Sequence, residues 1–132
     1  EDILPTIKKL SVGFVAYSPL GRGFLTGNIR SRADLEEGDW RLDNPRFTEE
    51  AIAHNVKLAD LISEISNKVG ATPAQVALTW LLSRDSSIAV IPGTRKIERL
   101  KENVSAQDLK LPNEHLDLLN QFDHLKIAGN RY

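Results

Sequence analysis

The chain has 132 residues, of which 41% are hydrophobic and 27% charged, with a formal net charge of −1 and no cysteine. That length allows one modest domain with a real core. The near-neutral balance points away from nucleic acid or a membrane surface as partner, and the missing thiols exclude disulfides and thiolate metal ligands. No apolar run approaches the ~20 residues of a membrane-spanning helix, and the absence of cysteine fits the expectation of a reducing cytoplasm.

Ile3, Leu4, Ile7 and Leu10 follow helical spacing, with Pro5 tolerable in a first turn and Gly13 placed to end the helix. Phe14-Val15-Ala16-Tyr17 is then a short apolar run of strand formers, stopped by Ser18-Pro19. Apolar at consecutive positions, it reads as a strand of about residues 14–17 buried on both faces, as in a parallel sheet. Residues 21–47 lack sustained periodicity and form a long loop, a feature more often functional than idle.

Thr48, followed by Glu49 and Glu50, is a good helix start, and Ile52, Val56, Ala59, Ile62, Ser66 and Val69 trace one face until Gly70. Thr72-Pro73-Ala74-Gln75 is a capping box with proline at the first helical position. The helix it opens is apolar nearly all round, so it is expected to be buried, with Trp80 in the core. Ile88-Ala89-Val90-Ile91 forms a second buried strand of about residues 88–91, closed by Pro92-Gly93. A polar helix from about Lys96 to Ser105 follows, and a last amphipathic helix uses Leu116, Leu119 and Phe122. Strands alternating with helices imply an α/β fold with a parallel sheet. Two such strands cannot bury their own faces, so further strands must come from elsewhere.

Both stretches of chemical interest begin where a buried strand ends: Tyr17 to Gly23, and Pro92 to Arg95. In α/β barrels the C-terminal strand ends carry the active site, often with a phosphate site after the last two strands. Glycines let backbone amides approach a phosphate, and a helix N-terminus attracts the anion. Arg95 and Arg99, four apart, are spaced to converge on one dianion in guanidinium fashion. Against this, a short basic helix is usually a solvated face, and Gly-x-Gly alone is a weak signal.

Three runs carry a resemblance: GFVAYSPLGRGFLTG from Gly13, ATPAQVALTWLL from Ala71 and VIPGTRKIERLKENV from Val90. In this order they resemble the C-terminal part of the aldo-keto reductases, in the branch with a YSPLGRG loop. The resemblance implies the last two βα units and C-terminal helix of a (β/α)8 TIM barrel, binding NADPH (NADP when oxidised) in an extended pose. It implies further that Tyr17 stacks on the nicotinamide and that Ser18, Pro19, Leu20, Gly21 and Arg22 wrap the pyrophosphate. Gly93, Thr94 and Arg95 would meet the adenosine 2′-phosphate together with Arg99, and Glu102 and Asn103 would hold the adenine. Many members carry a lysine where Gly93 stands, so that phosphate must lean on Arg95, Lys96 and Arg99.

The family's catalytic Asp, Tyr, Lys and His come from the first four strand regions, with the tyrosine as general acid. No residue here matches them, and Glu1 opens a chain without any methionine. The chain therefore reads as a piece of a longer carbonyl reductase, inactive alone and prone to pair with its missing part or another chain. Two alternatives stand beside this: a non-catalytic cofactor-binding protein of the same fold, like the potassium-channel β subunits, and a barrel site for a sugar phosphate. His54, His115 and His124 read as surface residues without metal-ligand spacing. Trp40 and Phe47 read as anchors of the long loop, or one of them as a wall of the substrate pocket.

Overall fold

The computed structural model describes residues 3–122 and 126–131; His124 lies outside them. In chain order the elements are α1 (Ile3–Leu10), β1 (Phe14–Tyr17), α2 (Glu49–Val69), α3 (Pro73–Ser83), β2 (Ile88–Ile91), α4 (Ile97–Ser105) and α5 (Asn113–Gln121). Short 3₁₀ helices fill the space between β1 and α2.

Helix α1 ends on Ser11, not Gly13. Ser11 sits at φ 53°; its N–H donates to Lys8 O at 3.2 Å, while Val12 N–H donates to Ile7 O at 3.1 Å. This crossed pair closes the helix as a Schellman motif. Lys8 then reaches Asp85 at 2.9 Å and ties the helix to the turn before β2.

The two strands pair in parallel, Phe14 opposite Ile88 and Tyr17 opposite Ile91, so the chain leaves both at the same end of the sheet. Helix α3 packs on β2, and Ala16 and Ile88 are buried. The other face is different. Val15, Tyr17 and Ile91 are 58%, 47% and 53% exposed, so the expected burial of both faces is not met. A two-stranded ribbon with helices on one side can bury only alternate residues.

The long loop is ordered by local hydrogen bonds rather than by periodicity. Ser31 and Asp34 form a capping box, Asp39 accepts from Arg41 N–H, and Asn44 accepts from Arg46 N–H. These turns fold Phe24, Ile29, Leu35 and Phe47 onto Ile52 and Ala59 of α2. Phe24 and Phe47 meet edge to face, with centroids 6.2 Å apart.

Helix α2 is capped by Thr48, whose side chain accepts from Ala51 N–H, and ends on left-handed Gly70. The Thr72 box is complete, with Gln75 N–H donating to Thr72 Oγ1 and Thr72 N–H to Gln75 Oε1. A second core joins Ile62 and Ile65 of α2, Val76 and Ala77 of α3, Leu111, and Leu119 of α5. Trp80 is half-buried rather than central. Its indole N–H donates to Asn120 Oδ1 at 2.9 Å and Arg84 donates to the same oxygen at 2.5 Å, clipping α3 to α5. His115, expected at the surface, is 7% exposed, because its position on α5 turns toward the core. His54 is exposed, with Nε2 3.1 Å from Lys126 O.

Candidate functional site

The loop after β1 is built from backbone in the left-handed region. Ser18, Gly21, Arg22 and Gly23 have φ of 49°, 57°, 60° and 93°. Gly21 N–H donates to Ser18 O at 2.9 Å and Gly23 N–H to Leu20 O at 3.0 Å, closing two successive tight turns. Ser18 and Arg22 are not glycine, and such residues persist at positive φ only where their surroundings hold them.

Arg22 is held by a brace from the long loop. Arg41 Nη1 donates to Arg22 O at 3.0 Å, and Arg41 Nε and Nη2 donate to the Asp39 carboxylate. The guanidinium also lies over the Phe47 ring at 6.0 Å. The Arg41 hydrogen bonds hold Asp39 down to about 2, and the same contact raises Arg41 further. A methyl at Gly23 would come 3.3 Å from Arg41 Nη1, so the turn and the brace fit each other closely.

This loop and the segment after β2 form the walls of one groove of about 630 Å³. From the first wall come Ser18, Pro19, Leu20 and Arg22; from the second, Gly93, Thr94, Arg99, Glu102 and Asn103. Thr94 Oγ1 accepts from Lys96 N–H at 3.2 Å, which sets the chain's entry into α4. The groove thus gathers hydroxyls, guanidinium groups and the positive N-terminal end of a helix, a donor set suited to phosphate.

Three residues singled out in the sequence lie off its walls. Gly21 faces a second, apolar cavity of about 320 Å³, lined also by Phe24, Leu58, Ala77, Trp80 and Leu119. Tyr17 ends β1 with the Arg131 guanidinium 4.0 Å above its ring. Arg95 is exposed and does not line the groove. Its four-residue spacing from Arg99 has no helical meaning, because α4 begins only at Ile97.

The groove also contains residues that sequence reasoning passed over: Thr26, Asn28, Asp34 and Arg41 of the long loop, and Pro73 and Ala74 at the start of α3. Asp34 is held below the usual carboxylate range by the backbone N–H groups of Arg30 and Ser31. The Asp39-x-Arg41 spacing, with an aspartate at a helix start, was the one available signal for the brace. Of the two loop aromatics, Phe47 is buried in the core, while Trp40 is 59% exposed beneath the Arg22 guanidinium.

The model of the aldo/keto reductase family matches residues 1–124. The chain belongs to this family. It is 39% identical over 130 residues to the aldo-keto reductase str7 of Strobilurus tenacellus, covering 98% of this chain and 39% of that protein. Among solved structures it is similar to the thermostable aldo-keto reductase Tm1743, described in complex with the inhibitor epalrestat. There the TM-score is 0.62 at 30% identity, over 89% of this chain and 32% of the other. The glycerol dehydrogenase AKR11B4 from Gluconobacter oxydans shares the fold at 22% identity, with a TM-score of 0.77 over 99% of this chain and 40% of that one. This aldo-keto reductase chain thus spans well under half the length of these relatives. Its two parallel strands and their helices form the C-terminal portion of the family's barrel.

Proposed function

We propose that this chain is the cofactor-binding part of an NADPH-dependent reductase of aldehydes or ketones. The cofactor supplies hydride to the carbonyl carbon. In this reading the Tyr17 ring is the shelf for the nicotinamide, and Ser18, Pro19, Leu20, Gly21 and Arg22 follow the pyrophosphate. Arg99, with Gly93, Thr94 and Arg95, takes the 2′-phosphate, while Glu102 and Asn103 take the adenine. The observation that carries the reading is the single groove joining the loop after β1 to the start of α4. Gly93 supports it, since a Cβ there would meet nothing within 4 Å and the wall stays open to a bulky group.

The family's proton-donating set has no counterpart among these residues, so the chain alone is expected to bind cofactor without turning over a carbonyl. Calorimetric titration with NADPH and NADH tests the assignment. Arg99→Ala should weaken NADPH by about tenfold, the worth of a charge-assisted hydrogen bond, and leave NADH nearly unchanged. Equal loss for both, or for neither, would reject Arg99 as the phosphate ligand.

A further inference from the structure

The segment Lys126–Arg131 lies against the loop that follows β1 and is fixed there by side chains of the long loop and α2. Asn55 exchanges two hydrogen bonds with Ala128, donating to its carbonyl at 3.1 Å and accepting from its N–H at 2.9 Å. Arg46 Nε donates to Gly129 O at 3.4 Å, and Arg22 Nη1 donates to Arg131 O at 3.0 Å. Gly129 sits at φ 82°, where a methyl would stand 2.7 Å from Arg46 Cα and run into the Pro45 carbonyl oxygen. The backbone is therefore seated in a notch that only glycine fits.

Seating the segment has one consequence at the site. It lays the Arg131 guanidinium over the Tyr17 ring at 4.0 Å, a stacked cation–π contact. A second planar group cannot share that face. The arginines that converge here, Arg22, Arg46 and Arg131, are already engaged in holding the strap, and burial together with the nearby Arg131 and Arg22 charges lowers Arg46 from its ordinary value.

We propose that Lys126–Arg131 is a self-occluding strap, whose Arg131 occupies the Tyr17 face that a nicotinamide ring needs. The inference rests on the reading of Tyr17 as that ring's shelf. The strap's described hydrogen bonds run to Arg22, Asn44, Arg46, His54 and Asn55, away from Thr94 and Arg99. Binding at the adenosine end of the groove is therefore independent of the strap, whereas docking of the nicotinamide end requires it to lift.

The test uses the full chain as wild type, Arg131→Ala and Gly129→Ala, with NADPH and adenosine 2′,5′-bisphosphate as calorimetric probes. If the strap is seated in about nine molecules of ten, each substitution tightens NADPH by about tenfold, because apparent affinity scales with the open fraction. Adenosine bisphosphate should bind all three proteins alike. NADPH affinity unchanged or weakened in both variants, with the bisphosphate still binding, overturns the strap. Failure of the wild type to bind the bisphosphate sinks the cofactor reading instead, and the strap's role falls with it. Proton NMR tests the contact without any ligand. Arg131 side-chain protons should be shifted upfield by the Tyr17 ring and lose that shift in Gly129→Ala; no shift in the wild type overturns the proposal.

Discussion

Asp39 and Arg41 are two residues apart, yet together they decide the shape of a turn nineteen residues upstream, through the hydrogen bond from Arg41 to the Arg22 carbonyl. The pair has a pH signature. Asp39 is held down to about 2, and Asp85, bonded by Ser87 and Lys8, lies below the usual carboxylate range as well. Folded values below unfolded ones mean that the stabilisation is complete above the ordinary aspartate value of about 3.9 and is lost as pH falls through the folded values. Thermal unfolding followed by circular dichroism should therefore show a melting temperature that drops between about pH 4 and about pH 2. Asp39→Asn should start lower and drop less over that window; an unchanged profile would remove Asp39 from the account. At this scale the sequence was only partly legible. Ser18, Thr94, Arg99, Glu102 and Asn103 fall on one groove and were visible through their motifs. Arg41 was not, because its role exists only once the loop folds back on Arg22. Arg95 lies off that groove, and its spacing from Arg99 is not a helical one, because it stands two residues before α4 begins.

Among the elements, those with local signals could be read directly. Thr48, Gly70 and the Thr72–Gln75 box act through hydrogen bonds within four residues, so the sequence alone states them. The long loop hid its order for the opposite reason. Its 3₁₀ turns are too short to show a period, and its stability comes from side chains that meet only in space, Phe24 and Phe47 against Ile52 and Ala59. Phe47 is 1% exposed and sits at the end of that loop, next to the α2 cap. Phe47→Ala is expected to cost about 3–5 kcal/mol, the range for a buried aromatic emptied to a cavity. Because the ring also lies under Arg41, the loss should reach the brace. Urea unfolding should show a lowered midpoint, and hydrogen exchange should rise across the long loop as well as at the mutated turn. A local effect confined to residues next to Phe47 would show that the brace stands without it.

For the molecule as a whole, the decisive feature is apolar surface that its own helices do not cover. Val15 and Ile91 lie open on the strand ribbon, and Ile97, Leu100 and Val104 are 67%, 52% and 55% exposed along one face of α4. That helix read as polar because Glu98, Arg99, Lys101 and Glu102 dominate its composition; its spacing of apolar residues by three and four makes it amphipathic. A sequence shows such a face but not what covers it, which is why a strand expected to be buried on both sides is open on one. Exposed strand edges and contiguous apolar patches drive association when nothing else shields them. Light scattering should accordingly find self-association that grows with protein concentration. Replacing Val15 and Ile91 together by lysine should suppress it while leaving the helical circular dichroism intact, since neither side chain contributes to the two cores. If the wild-type chain stays monomeric at high concentration, the ribbon's open face tolerates water. If the double variant associates as strongly as the wild type, the sticky surface is the α4 stripe, and Leu100→Lys should then have the effect denied to the strands.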